Sequence, residues 1–320
     1  MNAPAARLDI VRPAVPVDLD GAVLAESWSN DTWLTSGSVL RVCWRGDRQR
    51  LLREGMLLES LPSLVPHAAV LATGCTEGLT WMVARRIPGE RLDLVWPRLS
   101  GRERRDAVVS LAGALKALHE WEPSSMISAE LQQAASAAPV TPDDVVGSGI
   151  MPLPVPRLLP LLDWLEEQPG MDGDLAGRVR TRVEDLRPLV ADAEFEDGVV
   201  VHGDASYANM LWHQGRLAAL LDLEWARLGP PDLEFATILG DDPDIQAGGF
   251  SSAVSAAEVP ALAWLRAGYP ELFDRKHLTE RVWLYDLCFR IRQICASGRL
   301  DPSSRQNLAS LTMHPKVRFH

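Results

Sequence analysis

The chain has 320 residues, 47% of them hydrophobic, which is enough for a large core in one two-lobed enzyme or in two small domains. Its formal net charge of −11 argues against nucleic acid as a partner, because binding to phosphate backbones needs a basic surface. It has no run of eighteen apolar residues and no apolar signal-peptide core at its start, so we expect no membrane partner and a cytoplasmic location.

The first predicted elements form a small sheet and one helix. Residues 26–33 read Glu-Ser-Trp-Ser-Asn-Asp-Thr-Trp, a polar segment without glycine, and alternating apolar residues predict a hairpin over 35–44. Residues 49–61 have the spacing of an amphipathic helix. This helix can bring Glu54 to face Arg41 of the hairpin, so that a carboxylate and a guanidinium meet.

A strand and a long helix follow. Residues 81–84 predict a strand, and residues 85–89, which read Arg-Arg-Ile-Pro-Gly, predict the turn that leaves it. Residues 101–120 predict an amphipathic helix with one apolar side. The proline-rich stretch 138–160 cannot be helical throughout, because proline breaks helix interiors, so we expect it to cross the surface.

The remaining periodic segments predict a mostly helical C-terminal part. Helices are expected over 158–167, 175–193, 259–267 and 279–296. The four cysteines lack the paired spacing of a metal site, and we interpret them as reduced core thiols. Two of them, Cys288 and Cys295, lie seven residues apart, on one face of the last predicted helix.

The clearest chemical pattern is in residues 202–209, which read His-Gly-Asp-Ala-Ser-Tyr-Ala-Asn after the apolar strand 199–201. A predicted hairpin with a Gln-Gly turn then returns the chain, so that Asp222 comes beside Asn209. The carboxylate of Asp204 suits a hydroxyl that must be oriented and lose its proton, and magnesium prefers oxygen ligands such as Asn209 and Asp222. Any one acid alone is more commonly a helix cap or a solvated charge, but jointly these residues predict phosphoryl transfer.

Position by position, this motif resembles the aminoglycoside phosphotransferase and choline kinase group, whose catalytic loop reads His-Gly-Asp with an Asn five residues after the Asp. The resemblance implies an α+β, two-lobed, protein-kinase-like fold. A small N-terminal antiparallel sheet with one helix would precede a larger, mostly helical C-terminal lobe. We therefore expect a nucleotide-covering lobe in residues 1–87, and the catalytic loop and acceptor site in residues 88–320.

The resemblance also implies roles for individual residues. Asp204 stands at the position of the catalytic base, and Asn209 and Asp222 stand at the magnesium ligands. Asp-Leu-Glu replaces the Asp-Trp-Glu or Asp-Phe-Gly of the family, so Glu224 is a lesser ligand candidate. Asp232 matches a position that braces the catalytic loop, and we also expect it to be a helix N-cap. The co-substrate would be ATP or GTP.

In the N-terminal lobe the resemblance assigns nucleotide contacts. The family carries a strand cation that touches the nucleotide phosphates and is held by a helix glutamate, which corresponds to Arg41 and Glu54; since this lobe has no lysine, the cation is arginine. In the glycine-free loop, the hydroxyl of Ser29 can bind phosphate or belong to an ordinary polar turn. Arg85 and Ile87 mark the hinge, where adenine bonds to backbone groups in relatives.

These features predict a magnesium-dependent kinase that transfers the γ-phosphoryl group of a nucleoside triphosphate to a hydroxyl of a small molecule. The expected acceptor is an antibiotic, aminoglycoside-like or another hydroxylated natural product, and the activity would confer resistance. The alternatives are a metabolic kinase for a sugar, amino alcohol or homoserine-like compound, and a catalytically silent kinase-like module. Twelve acids against two basic residues between Asp192 and Asp244 either attract a cationic acceptor or hold magnesium and keep the surface soluble.

Overall fold

The computed structural model describes residues 3–27, 30–44, 47–136, 155–190, 198–241 and 253–319. Its N-terminal part contains a five-stranded antiparallel sheet with the strand order β1-β2-β3-β5-β4. These strands are β1 (Val23–Ala25), β2 (Asp31–Leu34), β3 (Ser38–Cys43), β4 (Val70–Thr76) and β5 (Leu79–Arg85). Helices α1 (Pro4–Val11) and α2 (Arg50–Leu58) cover opposite faces of the sheet. The predicted sheet and its helix are confirmed, and α1 is an addition that the sequence did not predict.

Alternation along β3 decides which residues face α1 and which face α2. Leu40 and Val42 are fully buried and pack in one cluster with Leu8 and Val11 of α1. Arg41 lies between them in sequence, so its side chain points to the opposite face, where α2 lies.

Helix α2 approaches the sheet closely because Gly55 has no side chain. A Cβ atom at Gly55 would come within 2.7 Å of Cγ2 of Thr73 on β4. Leu51 and Leu58 of α2 pack into the large core, and Glu54 is buried beside them. The close approach therefore carries a carboxylate into a mostly apolar interface, where it needs a cationic partner.

The rest of the described chain is mostly helical, as predicted. The helices are α3 (Leu92–Val95), α4 (Gly101–His119), α5 (Ser125–Ser136), α6 (Val155–Glu166), α7 (Gly173–Leu186), α8 (Phe235–Asp241), α9 (Pro260–Gly268), α10 (Leu278–Ser297) and α11 (Pro302–Met313). Helix α4 begins with a capping box, in which the side chains of Ser100 and Glu103 satisfy each other's backbone N–H groups. Leu111 and Leu115 on its apolar side are fully buried.

Short strands position the segment that contains the His-Gly-Asp motif. They are β6 (Glu90–Arg91), β7 (Val199–Val201), β8 (Met210–His213), β9 (Arg216–Leu220), β10 (Arg227–Gly229), β11 (Val254–Ser255) and β12 (Val317–Arg318). Strand β7 pairs antiparallel with β10, while β6, β8 and β9 form a second sheet. At the β8–β9 turn, Gln214 and Gly215 both have positive φ, 49° and 77°, as two-residue hairpin turns require. The predicted hairpin is confirmed.

Some predicted bounds differ from the observed ones. The helix predicted over 175–193 ends at Leu186, and a short 3₁₀ turn that contains a proline follows, because proline cannot continue the helical hydrogen bonding. The helix predicted over 158–167 begins earlier, at Val155. Most of the proline-rich stretch 138–160 lies outside the described residues. Helices α3, α5 and α11 were not predicted.

The cysteine prediction is confirmed at three positions and wrong at one. Cys43, Cys288 and Cys295 are buried free thiols. Cys75 is also free but is exposed, because alternate residues of the edge strand β4 face solvent. No helix of the described part of the chain is long and apolar enough to cross a membrane.

Candidate active site

The His-Gly-Asp loop begins where β7 ends, and its glycine is a steric requirement. Gly203 has a φ of +78°, and a Cβ atom there would lie 2.5 Å from the backbone oxygen of Trp225. Only glycine adopts this conformation against so close a backbone. Gly203 therefore lets the loop lie directly against the turn that follows Asp222.

The loop is braced by Glu234, which the sequence analysis did not identify. Glu234 is fully buried, and its carboxylate accepts hydrogen bonds from the backbone N–H groups of His202 and Gly203, the second at 3.4 Å. Nε2 of His119 lies 3.5 Å from the same carboxylate, and Nδ1 of His119 lies 3.1 Å from the hydroxyl of Tyr269. Burial acts to raise the pKa of Glu234, but the hydrogen bond and charge of His119, and then His202, hold it below its usual value, so the group is a carboxylate.

The prediction that Asp232 braces the catalytic loop as an N-cap is wrong. Asp232 lies in the 3₁₀ turn Pro231–Glu234, which has no side-chain cap. It is fully buried, and Nε and Nη2 of Arg281 donate to its two oxygens at 2.7 and 3.1 Å, while the hydroxyl of Tyr285 donates at 3.2 Å. Asp232 thus anchors α10, and the acid two residues later holds the loop. The sequence offered both acids, but only packing distinguishes them.

The predicted residues Asp204 and Asn209 are in direct contact. Nδ2 of Asn209 donates to Oδ2 of Asp204 at 2.8 Å and to its backbone oxygen at 3.0 Å. Since the amide nitrogen holds Asp204, the amide oxygen of Asn209 is the atom suited to a metal ion.

The β8–β9 hairpin brings Asp222 to the same place. The N–H of Leu221 donates to the backbone oxygen of Asn209 at 2.8 Å, so that Asp222 follows directly after the contact. Asp222 has φ 63° and ψ 46°, a left-handed conformation that aspartate tolerates better than most residues. The structure therefore holds Asp204 against Asn209 and places Asp222 next to the residue that bonds the Asn209 backbone, in agreement with the predicted hairpin.

Arg41 is at the centre of an ion-pair network with three carboxylates. Its Nη1 lies 2.6 Å from Oε2 of Glu54, and its Nη2 contacts Oδ1 of Asp222 and, at 3.0 Å, Oε2 of Glu224. Burial acts to lower the pKa of Arg41, but the charges of Asp222, Glu54 and Glu224 outweigh it and raise the pKa. The guanidinium is therefore permanently charged. The predicted meeting of Arg41 and Glu54 is observed.

Exposure separates the three carboxylates. The side chain of Asp222 is 28% exposed, whereas those of Glu54 and Glu224 are 2% and 0% exposed. An ion from solvent can therefore reach Asp222 but not the other two. Glu224 is instead taken by Nδ2 of Asn30 at 2.8 Å and Nε of Arg50 at 3.1 Å, two partners that the sequence analysis missed.

The residues present fit a divalent cation. The carboxylates of Glu54, Asp222 and Glu224 lie within 4.8 Å of one another and face two guanidinium groups, those of Arg41 and Arg50. Burial raises the pKa of Glu54 to about 8 and raises that of Asp222 above its usual value, so a cation beside them would favour their ionised forms. Magnesium prefers oxygen ligands, and the accessible oxygens belong to Asp222 and Asn209.

The remaining predicted nucleotide contacts are partly described. Arg85 is exposed at the end of β5, and Ile87 is half-buried in the segment that joins β5 to β6. Their backbone groups therefore lie at the connection between the sheet and the helical part. Ser29 lies outside the described residues.

Fewer acidic side chains near the site face solvent than the count of acidic residues in the sequence indicates. Glu224, Asp232 and Glu234 are buried and bonded internally, so they do not attract a cationic acceptor. A further cation, Arg292 on α10, lies close enough to Asp204 for their charges to interact. Burial lowers the pKa of Arg292 to about 10, and the charge of Asp204 acts to raise it. The sequence carried no signal for this pairing, because 88 positions separate the two residues.

Comparison with known proteins agrees with this geometry. A model of the phosphotransferase enzyme family matches residues 20–268, which confirms the predicted phosphotransferase. No curated protein sequence matches the chain.

Solved structures with the same fold include several aminoglycoside phosphotransferases. The GDP complex of aminoglycoside 2'-phosphotransferase-IIIa has a TM-score of 0.68 at 16% identity, over 98% of this chain and 98% of that chain. The ternary complex of APH(2")-IIa with streptomycin and ATP has a TM-score of 0.61 at 16% identity, over 99% of this chain and 98% of that chain. At this identity the likeness shows the fold, and the predicted two-lobed, kinase-like α+β architecture is confirmed.

Proposed function

The chain belongs to the phosphotransferase enzyme family, and on that premise we propose that it transfers the γ-phosphoryl group of ATP or GTP to a hydroxyl of a small natural product. The proposed acceptor is an antibiotic, of aminoglycoside type or another hydroxylated class, and the proposed role is resistance. The contact of Asp204 with Asn209, and the hairpin that returns the partly exposed Asp222 next to the Asn209 backbone contact, support this proposal.

Asp204 is the proposed catalytic residue. Its half-buried carboxylate accepts a hydrogen bond from Asn209, which fixes its orientation. In that position the carboxylate of Asp204 accepts a hydrogen bond from the substrate hydroxyl and orients the hydroxyl oxygen for in-line attack on the γ-phosphorus. The hydroxyl proton passes to Asp204 as the oxygen–phosphorus bond forms and the bond to the β-phosphate oxygen breaks.

The nucleotide phosphates are held, in this proposal, from both lobes. Asn209 and Asp222 would hold magnesium, which supplies positive charge against the β- and γ-phosphate oxygens. Arg41 adds a guanidinium from β3, and Glu54 keeps it in place through the 2.6 Å ion pair. The backbone groups of Arg85 and Ile87 would bind the purine base of the nucleotide, and Ser29 remains a predicted phosphate contact.

A second candidate is a metabolic kinase, which the charge of Arg292 favours. A guanidinium whose charge acts on Asp204 disfavours a polycationic acceptor and suits one that carries a carboxylate near its hydroxyl, such as a homoserine-like compound. The burial of Glu224, Asp232 and Glu234 points the same way. A catalytically silent module is the weakest alternative, because the proton acceptor and both proposed metal ligands are present.

Nucleotide consumption separates these functions. The protein is assayed with ATP and GTP against aminoglycosides, peptide and nucleoside antibiotics, and then sugars, amino alcohols and homoserine. Turnover with an antibiotic supports the first proposal, and turnover confined to the metabolites supports the second. If no compound in either group increases nucleotide consumption, both proposals are contradicted.

The roles of the residues are tested by substitution. Asp204→Ala should lower kcat by about 100-fold or more while nucleotide binding is kept, because only the proton acceptor is lost. Asp222→Asn should instead abolish magnesium-dependent nucleotide binding, as measured by calorimetry. Asp106→Ala, on the exposed side of α4, is the matched control and should match the wild type. An Asp204→Ala enzyme with near wild-type turnover would rule out the proposed mechanism.

A further inference from the structure

Three buried polar side chains form a closed ring beside the proposed metal site. Asn30 donates from Nδ2 to Oε2 of Glu224 at 2.8 Å, and Arg50 donates from Nη2 to Oδ1 of Asn30 at 2.9 Å. Nε of Arg50 completes the ring by donating to Oε2 of Glu224 at 3.1 Å. None of the three is more than 5% exposed. We call this set the Asn30–Arg50–Glu224 ring.

The ring joins three elements that are far apart in sequence. Asn30 directly precedes β2, Arg50 is the first residue of α2, and Glu224 lies in the 3₁₀ turn Leu223–Trp225. The hydrogen-bonded pairs are separated by 20, 174 and 194 positions. The ring therefore fastens the N-terminal sheet to the turn that carries Asp222.

Arg50 is fixed on several sides. Besides the ring contacts, its Nη1 donates to the backbone oxygen of Asp47 at 3.1 Å, and its guanidinium lies 5.5 Å from the ring centroid of Trp225. Burying a charge is costly unless it is paired and hydrogen-bonded, and a buried set with many partners holds one geometry. Arg50 therefore makes more side-chain contacts than are needed to begin a helix.

The contacts around the ring give it a function. On one side the hydroxyl of Ser27 donates to the backbone oxygen of Asn30. On its other side the ring meets Arg41, whose Nη2 lies 3.0 Å from Oε2 of Glu224. The ring thus connects the start of β2 with Arg41, the proposed phosphate-binding guanidinium, and with the turn that follows Asp222, a proposed metal ligand.

We propose that the Asn30–Arg50–Glu224 ring is a latch that holds Arg41 against the turn that follows Asp222, in position for the nucleotide phosphates. In this assignment Asn30, Arg50 and Glu224 are positioning residues for the nucleotide. Glu224 is then not a magnesium ligand, since its side chain is fully buried and the side chains of Asn30, Arg50 and Arg41 all contact its Oε2. The inference rests on the proposed function, because it requires that the protein binds a nucleoside triphosphate.

The variants are Asn30→Ala, Arg50→Gln, Glu224→Gln and the double variant Asn30→Ala with Glu224→Gln. Arg53→Gln is the matched control, because Arg53 lies on the same helix and pairs with Asp47 outside the ring. ATP and GTP are titrated with magnesium and with EDTA, and steady-state kinetics are measured with an acceptor that the wild type phosphorylates. Circular dichroism and thermal melts check folding.

Each ring variant should raise the Kd and KM for the nucleotide by about tenfold, with the acceptor KM unchanged and kcat within about threefold. The loss should be similar with EDTA, because the latch does not touch the metal. The double variant should be no worse than the worse single variant, since either change opens the ring. A general structural defect would instead lower kcat and raise both KM values, in Arg53→Gln and in the ring variants alike.

The results distinguish a failure of the proposed kinase function from a failure of the latch alone. A wild-type protein that binds neither ATP nor GTP would overturn the proposed function and the latch with it. Wild-type binding together with equal affinity of a folded Asn30→Ala variant would overturn the latch alone. A loss in Glu224→Gln that appears only with magnesium, and not in Asn30→Ala, would make Glu224 a metal ligand. Asn30→Ala deletes no buried charge, so it decides the question even where the other variants fold poorly.

Discussion

Glu234→Gln is expected to destabilise the protein and to slow catalysis without weakening nucleotide binding. The carboxylate of Glu234 serves two backbone N–H groups, those of His202 and Gly203, from a fully buried position. Glutamine keeps one carbonyl oxygen, so one of the two buried donors loses its acceptor and faces an amide N–H₂ group. An orphaned buried donor costs about 1–3 kcal/mol.

A second contribution comes from the lost charge. Burial lowers the pKa of Arg227 to about 9, and Glu234 is the carboxylate that acts to raise it. Removing the negative charge leaves this buried guanidinium less well compensated, and an uncompensated buried charge costs up to several kcal/mol. Together we expect a loss of about 2–5 kcal/mol in the free energy of unfolding.

The assay is urea denaturation followed by fluorescence, with steady-state kinetics on the same preparations. The kcat of Glu234→Gln should fall by about tenfold or more, because the loop that carries Asp204 loses its support, while the nucleotide Kd stays within about twofold. Glu120→Gln, an exposed change at the end of α4, is the control and should leave both stability and kcat unchanged. Wild-type stability and turnover in Glu234→Gln would refute the bracing role.

Two further predictions follow from backbone and burial. Gly203→Ala should lower the free energy of unfolding by about 1–3 kcal/mol and abolish turnover, because φ is +78° and a Cβ atom would lie 2.5 Å from the backbone oxygen of Trp225. The control is Gly177→Ala on α7, where a Cβ atom meets nothing within 4 Å. Equal effects of the two substitutions would contradict the steric reasoning. A thiol reagent at pH 8 should modify Cys75 rapidly and the other three cysteines only after denaturation, because Cys75 is exposed whereas burial raises the pKa of Cys288 and Cys295 to about 12. Fast modification of more than one thiol in the native protein would show that these side chains are accessible.

The sequence alone determined the features that depend on local pattern. The alternation around Arg41, the helical spacing around Glu54 and the turn at Gln214 and Gly215 each predicted an element that the structure contains. The same holds for the His-Gly-Asp motif, since one short loop and one hairpin suffice to bring Asn209 beside Asp222. Periods of 2.0 and 3.6 residues and two-residue turns are local properties, so neighbouring residues specify them.

Tertiary structure decided which of several similar polar residues face one another. Asp232 and Glu234 stand two positions apart with the same charge, and only the packing of α10 and β7 assigns one to Arg281 and the other to the loop backbone. The partners Arg50 and Glu224 are 174 positions apart, and no period or motif links them. Burial makes such pairings strong, because a desolvated charge must find its partner, and which groups are desolvated together is settled only when the lobes pack.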